Sequence, residues 1–210
     1  MFTEYWNAIC LAIASTSLAG GETLYVRESA SELPGDGTSW ENAYSTLSEA
    51  LVLASPGSEI RVAQGTYFPS SEGDRSASFV LRSGSTLLGS FAGEGTDPDL
   101  RDLTRHRSIL PGDIGVRRAR EDTSYHIVIG SGTDATAVLD GFDVVAGQAD
   151  GPSSYSQDEG AGLYCVEGSP RILNCRFSDH VASHGAAVYL YENCLPSFIN
   201  CEFTGNSATT

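Results

Sequence analysis

Two segments, PRILNCRFSDH from Pro170 and PSFINCEFTGN from Pro196, set Pro, Asn-Cys and Phe in the same order 26 residues apart. The match extends outward: GAGLYCVEGSPRILNCRFSDHVAS aligns with GAAVYLYENCLPSFINCEFTGNSA, with one extra residue before the second Pro. The first halves are therefore offset by 25 residues and the second halves by 26. A unit this short, made of two strands and turns, cannot bury its own apolar side, but it can do so when stacked on a near-copy. Side-chain alternation supports stacking. Leu173, Cys175 and Phe177 fall on one face, matched by Ile199, Cys201 and Phe203, with Asn174, Arg176, Asn200 and Glu202 opposite. Upstream, Leu163 and Cys165 match Val188 and Leu190 as the inward set; Tyr164 and Val166 match Tyr189 and Tyr191 as the outward set. The chain is thus expected to be all-β, a single-stranded parallel β-helix whose coils lie in register about 4.8 Å apart. Arg176 should face Glu202, and Cys175 should sit against Cys201.

Cysteine pairing stays open at this level. In-register parallel neighbours suit a disulfide poorly, so Cys175 and Cys201 read as packed thiols. Cys165 with Cys194 is an alternative bridge that would imply a different register at the turn. Cys10 lies in an apolar run, Ala8 to Ala19, that ends in SLA and reads as a secretory signal peptide over residues 1–21, although its n-region carries Glu4 and no basic residue. Export would permit disulfides.

Residues 22–69 form an N-terminal capping module. In TLSEALVLA, Thr46 and Glu49 have capping-box spacing, Leu47, Ala50, Leu51 and Ala54 share one helical face, and Pro56-Gly57 stops the helix. Residues 70–210 read as β-helix coils, with the clear repeat at 160–210. Strand candidates are SFVLRSGSTLLGSF, SILPGDI, YHIVIGSG, AVLDGFDVVAG, AGLYCV, RILNCRF, AVYLY and SFINCEF. Between Asp97 and Asp122 lie six of the chain's arginines, read as a surface connection between strands. The chain stops where the next Gly-rich turn is due, which reads as a C-terminal end without a cap. The 12 basic residues are all Arg against 27 acidic ones, a net charge of −15, which argues against a nucleic-acid partner. No run is long and apolar enough to span a bilayer.

The quoted repeats resemble the paired GG-[aliphatic] and F-x-x-N repeats of the chlamydial polymorphic outer-membrane proteins and related bacterial right-handed parallel β-helix proteins of the pectin-lyase-like superfamily. DGTSWENAYSTLSEAL…PGSEIRVAQGTYFP is similar to their N-terminal module, and LLGSFAGEGTDPDLRDLTRHRSILPGDI and SYHIVIGSGTDATAVLDGFDVVAGQADG are similar to the segments that follow it. GAG and GAA stand in place of a full GG doublet. His180 stands where Asn is expected, so only Phe203 to Asn206 satisfies F-x-x-N. The resemblance implies a right-handed β-helix, a secreted, outer-membrane or cell-surface location, and an adhesin or scaffold role.

Three functions compete. Polysaccharide hydrolysis needs clustered carboxylates, and lyase chemistry needs Ca²⁺ carboxylates with a basic residue. The catalytic candidates are Asp140 and Asp143 in LDGFD, which flank a glycine at alternate spacing and read more simply as turn and strand-end residues. Tyr164, Tyr189 and Tyr191 form an outward aromatic ladder able to stack on sugar rings, which makes them the ligand-binding candidates. The third function, a non-catalytic scaffold, needs nothing beyond the coils. His180 and His184 read as a surface turn and not as a metal site. No cofactor is expected; Ca²⁺ between Asp-rich turns is the one ion considered, and no GGxGxD nonapeptide is present. The expectation is a monomeric exported module with a scaffold, adhesion or glycan-binding role, its partner a polysaccharide or cell-surface glycan. The alternative is a carbohydrate-active enzyme, a polysaccharide lyase or hydrolase, whose site lies on long loops or further coils.

Overall fold

Short β-prone runs broken by Gly, Asn and Asp become strands of two to six residues. The computed structural model describes residues 21–28, 35–70, 73–115 and 122–209; the signal-peptide reading, Cys10, and Arg117, Arg118 and Arg120 lie outside them. In chain order the elements are β1 (Thr23–Val26), α1 (Leu47–Leu53), β2 (Glu59–Ala63), β3 (Gly65–Thr66), β4 (Phe79–Val80), β5 (Thr86–Phe91) and β6 (Ser108–Pro111). They continue with β7 (Val128–Ile129), β8 (Val138–Asp140), β9 (Phe142–Val145), β10 (Gln148–Ala149), β11 (Leu163–Val166) and β12 (Arg171–Leu173). The last are β13 (Arg176–Ser178), β14 (Val181–Ala182), β15 (Val188–Tyr191), β16 (Ser197–Ile199), β17 (Glu202–Thr204) and β18 (Ser207–Ala208).

The strands form four sheets, in the orders β1-β2-β5-β8-β12-β16, β3-β6-β9-β13-β17, β4-β7-β11-β15 and β10-β14-β18. Every pairing between these strands is parallel, and each sheet keeps sequence order. From β7 onward the chain visits the third, first, second and fourth sheets in that sequence three times. The class is therefore all-β with parallel sheets, and the described residues include one short α-helix. The register matches the aligned repeat: Leu163 pairs with Val188 and Cys165 with Leu190, an offset of 25, while Arg171 pairs with Ser197 and Arg176 with Glu202, an offset of 26.

The main core is an apolar column that includes Ile60, Leu87, Leu139, Ile172, Phe142 and Phe177, with two smaller clusters around Ala149 and Ala182 and around Trp40 and Phe91. Its composition corrects one expectation. Asn174 and Asn200 are left-handed, at φ 51° and 55°, so the chain bends there and the alternation changes phase. Ile172, not Leu173, is the buried residue of β12, and its register partner is Phe198. Leu173 and Ile199 lie on the outer side with Asp140, their register partner in β8. Asn tolerates this conformation because its short amide bonds locally. Its amide also bridges the repeats: Asn200 Nδ2 donates to Asn174 Oδ1 at 3.2 Å, and Asn174 Nδ2 donates to Asp140 Oδ1 at 2.7 Å.

The helix forms as its spacing predicts. Thr46 is the N-cap, its Oγ1 accepting from Glu49 N at 3.3 Å, and Leu47, Ala50 and Leu51 are buried against the first strands. The Glu49 carboxylate accepts from the Thr46 hydroxyl at 2.8 Å instead of reaching the cap's N–H. Cys165 and Cys194 form a disulfide with Cα atoms 6.4 Å apart, while Cys175 and Cys201 are free thiols. The expected change of register is absent. The extra residue of the second repeat instead makes a wider turn, with Glu192 and Asn193 both left-handed, that carries Cys194 back to the preceding strand.

Candidate functional site

The catalytic candidates occupy one corner, where the first sheet turns into the second. Gly141, at φ 82°, makes the turn between β8 and β9. A side chain there would be strained and would bring a Cβ within 2.6 Å of the Arg101 guanidinium. Asp140 ends β8 and Asp143 lies on the outer face of β9, in register with Arg176, which is in register with Glu202. The 92–107 connection folds back over this corner. Trp40 Nε1 and Arg61 Nη1 both donate to Asp99, at 3.1 and 2.8 Å, and Arg101 reaches over Gly141.

Both aspartates are engaged. Asp140 is 9% exposed; its Oδ1 accepts from Asn174 and lies 2.8 Å from Arg101 Nη2, and its Oδ2 accepts from Arg101 Nη1 at 3.3 Å. Arg101 is held further by the backbone, its Nε donating to Gly89 O at 2.8 Å and its Nη2 to Asp140 O at 3.0 Å. Asp143 pairs with Arg107, and Arg176 Nε donates to Glu202 Oε2 at 3.1 Å, the pair anticipated from the repeat. Between them lies a groove of about 150 Å³, lined by Thr104, Arg107, Asp143, Asn174, Arg176 and Glu202. Each carboxylate here is paired with a guanidinium, which suits bidentate structural bonding. A pair working as general acid and base would need one carboxyl free to hold a proton. Arg101 and Arg107 come from a connection far away in sequence. The arginine cluster was visible in the sequence, but its pairing with LDGFD was not.

The tyrosine ladder stands on the outer face of the third sheet. Val80, Ile129, Tyr164 and Tyr189 occupy one register column across β4, β7, β11 and β15, and Tyr191 lies beside it, paired with Val166. The Tyr164 and Tyr189 rings are near-parallel at 7° with centroids 5.9 Å apart; Tyr189 and Tyr191 are at 17° and 6.4 Å. The His126 ring lies over Tyr164 at 4.7 Å. Burial pulls His126 below its ordinary range, although its Nδ1 lies 3.3 Å from Gly160 O. Partial burial, and then the Glu159 carboxylate beside it, hold the Tyr189 phenol above its ordinary range. The strip opens toward β15, where Tyr191 is 53% exposed.

Histidine placement is a second correction. His180 is not on a surface turn: it is fully buried, and His126 is buried as well. Among the described residues no group of three or more His, Cys, Asp or Glu is placed to hold a metal ion, and no helix is long and apolar enough to cross a membrane. Comparison with known proteins adds no family to these observations: no protein-family model, curated protein or solved structure matches the chain.

Proposed function

We propose that the chain is a right-handed parallel β-helix of the pectin-lyase-like type, exported to the cell surface or beyond. In this reading it serves there as a non-catalytic scaffold that contacts glycans through its third sheet. The observation that carries this reading is the column Val80–Ile129–Tyr164–Tyr189 with Tyr191 alongside, a partly exposed apolar strip crossing four strands of a chain with net charge −15. Such strips on otherwise charged surfaces mark contact sites, and near-parallel aromatic rings suit the apolar faces of sugars. The parallel in-register sheets support the fold reading, and they supply the rigidity that a scaffold needs. Against the enzymatic alternative stands the engagement of Asp140 and Asp143 by Arg101 and Arg107.

A glycan array probed with the intact chain and with Tyr191→Ala tests the proposal. Binding to a defined set of glycans, lost in the variant while the far-ultraviolet spectrum is unchanged, is the expected result. Cleavage of an acidic polysaccharide that is abolished by Asp143→Asn would overturn it.

A further inference from the structure

Arginine is missing from one side of the coil. From Thr123 to Thr209 the only bases other than histidine are Arg171, which begins β12 of the first sheet, and Arg176, which begins β13 of the second. The strands β7, β11 and β15 therefore enter the third sheet without a cation of their own. Arg75 and Arg82 flank β4, the remaining strand of that sheet. Arg75 is engaged, lying over the Tyr125 ring at 4.1 Å and paired with Asp150. Arg82 follows Val80 at the side of the sheet away from the tyrosines.

Carboxylates gather instead around the tyrosines. Glu159 lies against the Tyr189 phenol. Glu167 follows Val166 and Glu192 follows Tyr191, the register partner of Val166, so the two glutamates occupy matching places in successive strands. Both are exposed and left-handed, at φ 52° and 46°, and the Glu167 N–H donates to Glu192 O at 3.0 Å. Among the described residues neither makes an ion pair. Like charges one strand spacing apart repel, and nothing in the chain offsets this pair. β11, which carries Tyr164 and leads into Glu167, has a neighbouring strand on both sides, so these features belong to the face of the sheet.

We propose that the tyrosine end of the third sheet takes a glycan bearing free amines, a hexosamine chain whose ammonium groups meet Glu159, Glu167 and Glu192 while its rings rest on Tyr164, Tyr189 and Tyr191. This rests on the glycan reading of the strip and adds the class of sugar. An ammonium is attracted both by the aromatic rings and by the carboxylates. The net charge of −15 steers a cationic chain toward the molecule. A uronate or sulfated sugar would set its anion beside three carboxylates with no base to answer it, and a neutral sugar would leave the repulsion between Glu167 and Glu192 unrelieved.

Calorimetric titration of the full chain with a glucosamine hexamer and with its fully N-acetylated counterpart tests this, at low salt with amines protonated and carboxylates ionised. The free-amine hexamer should bind at least about fivefold tighter. Glu167→Gln combined with Glu192→Gln should weaken its binding at least about threefold with the far-ultraviolet spectrum unchanged. Glu94→Gln combined with Asp97→Asn, which removes the same charge from the exposed 92–107 connection, should leave it intact. Equal or tighter binding of the acetylated hexamer, lost in Tyr191→Ala, would overturn the amine assignment and leave the glycan reading standing. Equal weakening in the two double variants would also overturn it, because the attraction would then be diffuse. If neither hexamer binds at a concentration on the order of 1 mM, the amine assignment fails whatever other glycans the array finds.

Discussion

His180 and Asn206, 26 residues apart, make the same two hydrogen bonds to the preceding repeat. His180 Nδ1 accepts from Gly147 N at 3.0 Å, and its Nε2 donates to Val144 O at 3.0 Å. Asn206 Oδ1 accepts from His180 N at 3.1 Å, and its Nδ2 donates to Phe177 O at 3.0 Å. Phe177 is the register partner of Val144, so the two side chains do the same work one repeat apart. The imidazole is held as the neutral Nε2–H tautomer because one partner must receive a proton and the other must give one. Space for the larger ring comes from glycine: a Cβ at Gly162 would fall 2.8 Å from His180 Nε2.

This equivalence predicts a pH dependence. Burial pushes His180 down to about 4 from an ordinary 6.5. The unfolded chain therefore takes up the proton first as pH falls, so this residue's contribution is complete above about 6.5 and is lost progressively toward pH 4. The loss should reach about 3 kcal/mol, and His126, also lowered by burial, acts in the same direction. Asp179, the one charged group acting on His180, opposes the shift but is outweighed by burial. His180→Asn should keep both hydrogen bonds, leave stability at pH 7.5 within about 1 kcal/mol of the parent, and flatten the slope between pH 6.5 and 4.5. Urea unfolding of both proteins at the two pH values measures this; an unchanged slope in the variant would refute the assignment.

What the sequence made legible was whatever recurs. The 25- and 26-residue offsets, the outward tyrosines, the Arg176–Glu202 pair and the capped helix all follow from spacing within a segment or between its copies. Three features were hidden for physical reasons. The bend at Asn174 breaks period-two alternation, although an Asn at the same place in both copies was the available signal of a left-handed residue. By residue type alone His180 reads as a surface residue, whereas its position in the F-x-x-N alignment marks a site for an inward-bonding Asn. The Arg101–Asp140 and Arg107–Asp143 pairs join segments 39 and 36 residues apart through a connection with no repeat of its own, so nothing local could announce them.

Those pairs predict that the corner is structural. Asp140→Ala removes a buried carboxylate and leaves the Arg101 guanidinium and the Asn174 amide without their partner. The cost should be about 2–4 kcal/mol, since what remains is a partly buried charge with nothing to answer it. Asp143→Ala, which removes the Arg107 pair and orphans no buried amide, should cost less, about 1 kcal/mol. Chemical denaturation gives both numbers. Equal, negligible losses would mean that the carboxylates are held ready for something other than packing.

The Asx turns make a contrasting prediction at lower pH. Asp36, Asp74, Asp102 and Asp134 each accept from the backbone N–H and hydroxyl of the Thr or Ser two residues on, which holds their carboxyls below the ordinary range, Asp102 at about 2. Because these folded-state values are depressed, their contribution is present above the ordinary carboxylate range and is lost as pH falls through it. That window lies below the one assigned to His180. Carboxylate titration by NMR should find Asp102 the last of the four to protonate; a value for Asp102 near 3.8 would contradict the turn geometry.

The last repeat should depend on its disulfide more than the rest of the molecule does. Cys165–Cys194 closes 29 residues and ties the turn after β15 to the strand below it, while Leu190 and Phe203 lack cover on their outer side. A bridge closing a loop of this length contributes about 3 kcal/mol when it constrains the unfolded chain. Here the effect should be local, because the earlier repeats keep their stacked neighbours on both sides. Cys194→Ser should therefore raise hydrogen exchange in β15 to β17 by about two orders of magnitude and leave β5, β8 and β9 nearly unchanged. Thiol labelling provides a parallel measure. Cys201 is half-buried and should react in the native protein, whereas Cys175, sealed beneath it with its thiol pushed up to about 12 by burial, should react only on unfolding. In the Cys194→Ser variant the Cys201 rate should rise while Cys175 stays protected. Equal acceleration at both thiols would show that the repeats open as one unit and that the bridge acts globally.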